Sequence, residues 1–335
     1  MARSIEFGEG GPAVGRSDID MIPMRPNEVI SIAIFLLVLL ALYGFEIGVL
    51  LRAGVARFRR RPVRPLLTRK PVLVVHVLAA LGIVCFLYAR FIEPFRVEVN
   101  VMTVRTPKLT EASFRIVQIS DLHCDRTPRN EEEMVRTVNA LKPDVIVATG
   151  DYLNDRAGVP RLKDALRRLE APLGKFAVTG NFEVYHWRDL DLIDGTGFEL
   201  LDRRTRLVTK GEASIGIHGR GMVLPDDGGD GLPDLPSDRF NVLLYHTPDL
   251  IERVAGPQVD LYLCGHTHGG QVALPLYGAL ITFSKYGKKY ESGVHQVGET
   301  MLYVNRGLGL EPRPAPQVRF FARPEIAVFD IVPDR

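Results

Sequence analysis

Cysteine is scarce: three residues in a chain of 335 cannot build a disulfide scaffold. Cys85 lies in an apolar stretch, so at most one bridge, between Cys124 and Cys264, remains to be considered. An excess of either charge is missing too. Lys+Arg 42 against Asp+Glu 40 leaves a net charge of +2, which excludes a general nucleic-acid binder, because that would need a basic surplus to neutralise phosphates. No internal repeat or low-complexity tract is present. Hydrophobic residues at 46% and charged residues at 24% are ordinary for a globular protein, and the length calls for one large domain or two.

That balance conceals segregation along the chain. Two apolar runs, 29–51 and 71–91, each have about the 20 residues a helix needs to cross a bilayer. Neither reads as a cleaved signal, since the first starts late and no basic run precedes it. The competing reading is a hairpin buried in a soluble core, but two such runs flanking a charged loop are hard to bury. The loop 52–70 contains Arg52, Arg57, Arg59, Arg60, Arg61, Arg64, Arg69 and Lys70 and no acid. The tail 1–28 mixes Arg3, Arg16 and Arg25 with Glu6, Glu9, Asp18, Asp20 and Glu28. Short loops rich in Lys and Arg stay cytoplasmic, so the loop is expected inside, with the tail and residues 92–335 outside. Glu46 is expected to reach the interface from the inner end of the first helix; His76 and Cys85 read as packing residues.

Beyond residue 91 the rhythm changes. FRVEVNVMTV alternates as a strand does, and Pro107 ends it. FRIVQIS (114–120) then precedes the helical stretch 130–142, and DVIVATG (144–150) precedes a second, 160–170. Further short runs follow at 175–180, 213–219, 240–246, 259–265, 301–307 and 325–332. β-Branched strands alternating with amphipathic helices predict an α/β domain over 92–335 with buried sheets. The Pro/Gly/Asp-rich segment 221–240 lacks the spacing of a calcium loop and reads as a solvated connection or a lid.

Five of these strands share one feature. They run into Asp121-Leu122-His123, Asp151, Asn181, His246 and His266-Thr267-His268. Each apolar strand thus delivers a metal-capable side chain at its C-terminal end, the edge where sites form in α/β sheets. A single histidine so placed would more often be a turn or core residue; five coincidences of position and type are not. Carboxylate, imidazole and amide oxygen make a mixed N/O shell suited to Mn, Fe, Zn or similar ions. A carboxylate can bridge two such ions, and their uncompensated charge favours an anionic substrate.

The ordered signature D-x-H, G-D, G-N-x-[DE], a lone H and G-H-x-H resembles the calcineurin-like metallophosphoesterases. GHTHGGQ (265–271), VNRGLG (304–309) and RPEIAV (323–328) are similar to the membrane-associated YkuE/YaeI-type branch. The resemblance spans about 95–335. It implies a four-layer α-β-β-α sandwich, here preceded by two transmembrane helices. It also implies two divalent metal ions: Asp121, His123 and His268 around one, Asn181, His246 and His266 around the other, and Asp151 bridging them. Asp151, Asn181 and His246 are the residues it places closest to catalysis, in which a hydroxide between the ions attacks phosphorus in line.

One departure stands out. The family pattern has His after the Asn; here Phe182 follows Asn181. That His stabilises the transition state or protonates the leaving oxygen, help worth about 10²–10⁴ in rate, and Phe has no donor. His186 is either its substitute or a surface residue beside Trp187. Arg306, after Asn305 at a strand end, either binds a phosphate or serves as an ion-pair partner. Cys124 and Cys264 neighbour the ligand motifs and read as isolated core cysteines or as a bridged pair. His218 and His295 match no ligand position and read as ordinary loop residues. The expectation is a membrane-anchored, extracytoplasmic phosphoesterase acting on phosphodiesters or pyrophosphates, with a lipid or envelope component as substrate suggested only by the anchor. The alternative is a metal-binding, weakly catalytic domain that binds or senses phosphorylated envelope ligands.

Overall fold

A computed structural model describes residues 24–63, 67–222 and 235–334. The tail up to residue 23, Arg64 and most of the Pro/Gly/Asp-rich segment lie outside the described residues. Two helices come first, α1 (Pro26–Phe58) and α2 (Lys70–Phe91), and both are long and apolar enough to cross a membrane. Proline in the first turn of each fits the helix start, where its missing N–H costs nothing. α1 continues past the apolar run and carries Arg52 and Arg57 on its last turns. The helices touch along one side only. Leu37, Leu40, Leu51, Val77 and Val84 are exposed around the rest, so both helices present apolar surface on their remaining sides.

Glu46 departs from its sequence expectation. It turns towards α2, where both carboxylate oxygens lie 2.7–2.8 Å from Nδ1 of His76. Two polar groups in an apolar setting do better paired than apart, so His76 is a polar partner rather than a packing residue. One helical turn away, the Tyr43 hydroxyl donates to the Ala79 carbonyl at 3.1 Å.

Fourteen strands follow among the described residues. Twelve of them form two six-stranded sheets, ordered β1-β14-β2-β3-β4-β5 and β12-β13-β9-β8-β7-β6. In the first, β2 (Phe114–Ile119), β3 (Val145–Ala148), β4 (Lys175–Ala177) and β5 (Glu199–Leu200) run parallel. β14 (Glu325–Pro333) pairs antiparallel to β2 and carries β1 (Glu98–Thr106) at the edge. In the second, β7 (Ala213–Gly219), β8 (Phe240–Leu244), β9 (Leu261–Cys264) and β13 (Thr300–Val304) are parallel. β6 (Arg204–Lys210) and β12 (Gly293–Val297) close its edges antiparallel. Strands β10 (Ala273–Leu274) and β11 (Gly278–Ala279) make a small separate ribbon.

The period-2 alternation of β2 explains the layering. Phe114 and Ile116 point between the sheets, joining Val145, Val147, Ile217, Val242 and Leu261 in one core. Val117 and Ile119 point the other way, against Met134 of α3 (Glu131–Ala140) and Leu162 of α4 (Val159–Arg167). The outer layer over the second sheet is thin. Leu250 and Ile251, at the start of the one-turn helix α6 (Ile251–Val254), pack with Leu235 and Tyr290 over Leu243 and Tyr262. A short helix α5 (Asn181–Tyr185) follows β4. His218 and His295 lie on β7 and β12 rather than in loops, and His218 is buried. Cys124 and Cys264 are free, buried in different apolar clusters.

Candidate metal centre

β2, β3 and β4 end at the same edge as β8 and β9, and the turns after them meet between the two sheets. The backbone is bent to aim the side chains there: Asp121, His123, Asp151, His266 and His268 all have positive φ, between 42° and 73°. Non-glycine residues rarely adopt this conformation, and it recurs where function requires it. Glycines admit the close approach. Gly150 has φ 92°, and a Cβ on Gly265 would stand 2.0 Å from Asp121 Oδ2.

The turns bring together two triads, Asp121/His123/His268 and Asp151/His246/His266, whose ligand atoms lie within 4.8 Å of one another in each. Asn181 joins the second, its Oδ1 2.9 Å from His246 Nε2 and 3.0 Å from His266 Nδ1. Asp151 lies between the triads. Its Oδ1 accepts from the Phe182 N–H at 2.9 Å, while Oδ2 is 3.2 Å from His246 Nε2 and 3.8 Å from His123 Nε2. Two buried carboxylates, four imidazoles and an amide oxygen facing one another are a donor set for cations, so these residues fit two divalent ions.

Outer partners fix the rings. His123 Nδ1 donates to Asn154 Oδ1 at 2.7 Å, His246 Nδ1 to the Thr149 carbonyl at 2.7 Å, and His266 Nε2 to the Phe283 carbonyl at 3.0 Å. Each leaves the other ring nitrogen facing the centre, where the neutral ring presents its lone pair. His268 differs: its Nδ1 lies 3.3 Å from Nη2 of Arg319. Arg319 is fully buried and donates to the carbonyls of Arg306, Gly307, Gly309 and Ala322; burial pushes its guanidinium down to about 9.

Charge is strongly coupled here. Burial alone would raise Asp121, yet His268, with His246 and His123 nearby, holds its carboxyl well below the usual range. Burial alone would lower His246, but Asp151 raises it to about 10. His246 thus keeps its proton when no cation is present, and an ion bound there would displace it. Burial, then the Asp151 charge, lift Glu183 to about 7, even though it accepts from the backbone N–H groups of Asp151, Tyr152 and Gly180 at 2.8–2.9 Å.

Glu183 is the acid of the G-N-x-[DE] signature, and its task of tying the Asp151 turn to the Asn181 turn had no sequence signal beyond that letter. Arg319 and Glu311, whose Oε1 is 3.4 Å from His268 Nε2, were not legible either. Phe182 packs edge-on against His123, ring centroids 4.9 Å apart, and the ring of the exposed His186 is 5.1 Å from that of Phe182. Arg306 is turned away from the centre, towards Glu325 and Glu98. Of the two roles the sequence left open for it, the structure supplies partners for the ion pair.

The sequence profile of the calcineurin-like phosphoesterases matches residues 114–270. The chain is 35% identical over 277 residues to the uncharacterized metallophosphoesterase YkuE of Bacillus subtilis, covering 73% of this chain and 88% of that one. It is 28% identical over 314 residues to the UDP-2,3-diacylglucosamine pyrophosphatase LpxG of Chlamydia muridarum, covering 75% and 94%. To the phosphodiesterase YaeI of Escherichia coli it is 28% identical over 262 residues, covering 74% and 93%.

Proposed function

The chain belongs to the calcineurin-like phosphoesterases, and on that premise we propose that it is a membrane-anchored, two-metal enzyme that hydrolyses phosphodiester or pyrophosphate bonds. Residues 29–91 are its membrane hairpin and 92–335 its catalytic unit. The observation that carries the reading is the position of Asp151, whose Oδ2 is shared between the histidines of the two triads. Asp121, His123 and His268 would hold one ion, Asn181, His246 and His266 the other, and Asp151 both. Bound ions would acidify a shared water and clamp the phosphoryl oxygens. The protein's part is to hold seven donors with their rings locked by Asn154, Thr149 and Phe283, and to keep Asp151 in place through the Phe182 and Glu183 contacts.

Phe182 narrows the substrate. Phe182 itself brings no proton donor to this position, and a leaving group that can depart unprotonated suits it: a pyrophosphate or an activated ester rather than an alkyl ester. The relative named as a UDP-2,3-diacylglucosamine pyrophosphatase is in keeping with that class, and with an amphiphilic substrate. The same residue favours a second reading, a metal-binding domain of feeble catalysis that binds phosphorylated envelope ligands. The full-length protein in detergent, loaded with manganese, should turn over an aryl phosphodiester and a nucleoside-diphosphate pyrophosphate bond, lose both activities to a chelator and regain them with metal. Metal-loaded protein that turns over neither substrate would leave the binding reading in its place.

A further inference from the structure

The domain meets both apolar helices at their neighbouring ends, over the first two turns of α1 and the last turn of α2. At α1, buried Glu28 accepts from the Thr282 N–H and hydroxyl at 2.8 Å, and Ser31 Oγ hydrogen-bonds the Tyr277 hydroxyl. At α2, the Ala89 carbonyl accepts from the Arg319 N–H at 2.9 Å, and Glu93 just beyond accepts from the Ala322 N–H at 2.7 Å. Two loop tips project beside these contacts. Leu276 is 111% exposed at φ 66° and Phe321 is 61% exposed at φ 52°. A cleft of about 610 Å³ lies beside α2, where Cys85, Tyr88, Phe320 and Phe321 share the lining with the charged Glu98 and Arg306.

The helices give the depth of these tips. Ser31 lies two residues inside the apolar run that starts at Val29, and Cys85 six residues before Phe91. At 1.5 Å per residue, the loops reach about 3–9 Å down the helix sides. Phe91, Ile92 and Phe95 are exposed at the end of α2 and just beyond it. Arg96 and Arg323 are exposed around them, in the arrangement of apolar body and basic rim that suits a headgroup layer. Water would make this an exposed apolar patch in need of a partner, and it is continuous with helix faces that only lipid can cover.

We propose that Leu276 and Phe321 are the tips of a bilayer-insertion surface that seats the phosphoesterase domain in the leaflet on its own side of the membrane. Leu276, Phe321 and the exposed Phe91 meet lipid hydrocarbon, and Arg323 is level with the lipid phosphates. The inference rests on the membrane-spanning reading of α1 and α2. It also places the metal centre beside the bilayer surface: Arg319 connects Ala89 to His268, and Thr282, held by Glu28, adjoins the Phe283 carbonyl that orients His266.

The chain has a single tryptophan, Trp187, so fluorescence can test this directly. Full-length Trp187→Phe protein carrying one of Leu276→Trp, Phe321→Trp, Val38→Trp or Leu207→Trp is reconstituted into bilayers containing lipids brominated at shallow or deep positions. All four sites are exposed, and the Trp187→Phe change, which gives up a hydrogen bond to the Leu153 carbonyl, is common to all of them. Leu276→Trp and Phe321→Trp should be quenched, most by shallow bromines, Val38→Trp most by deep ones, and Leu207→Trp by neither. Emission from both loop sites as insensitive as that of Leu207→Trp, with Val38→Trp quenched, overturns the proposal and leaves the spanning helices standing. An unquenched Val38→Trp overturns the membrane-spanning reading and the proposal with it.

Discussion

Phe182 occupies the position where a donor side chain would be most useful, and its ring fills that space against His123. Replacing it tests whether a proton is what the site lacks. Phe182→His should speed hydrolysis of alkyl phosphodiesters more than of aryl ones, by up to about 10²-fold if the imidazole reaches the leaving oxygen. His186→Ala should change little. Loss of alkyl turnover in His186→Ala, with no gain in Phe182→His, would show that His186 already supplies the proton. At this scale the sequence was informative where chemistry is local. Seven donors could be read from strand ends, because a ligand must follow the strand that aims it. Glu183, Arg319 and Glu28 could not, since their partners lie 32, 51 and 254 positions away, and nothing in a single sequence pairs them.

Among the elements, the two helices were legible from apolar run length alone, and the parallel strands from their β-branched runs. Of the edge strands β1 was legible from its alternation, but β5, β6 and β12 were not: β6, RTRLVTK, has mostly exposed side chains, so it lacks the apolar signal that burial imposes. The Glu46–His76 contact escaped notice for a related reason, because each residue alone looks like an isolated polar side chain near apolar ones. Removing either partner leaves the other unsatisfied between the helices, at a cost of about 1–3 kcal/mol. Thermal unfolding in detergent of Glu46→Ala, His76→Ala and the double variant should therefore be non-additive, the second substitution costing less than the first. Strict additivity would mean that the two side chains do not interact in the folded hairpin. In the sheets, Ile116→Ala removes a fully buried side chain from between the layers and should cost about 2–5 kcal/mol, read as a lowered unfolding midpoint.

For the whole molecule, the joining of two sheets so that five strand ends converge is a non-local result of pairing such as β14 between β1 and β2, which no local pattern announces. The proposed orientation, by contrast, rests on composition: with eight basic residues in 52–70, that loop would stay in the cytoplasm and the catalytic unit would lie outside. A reporter fused after Arg335 should behave as exported; a cytoplasmic reporter would reverse the topology and move the substrate to the inner leaflet. Metal content bears most directly on the two-ion centre. Elemental analysis of purified full-length protein should find two divalent ions per chain, and Asp151→Asn, which weakens a carboxylate shared by both triads, should lower the occupancy of both. The same metal content in Asp151→Asn as in the parent, or no bound metal in the parent after loading, would contradict it.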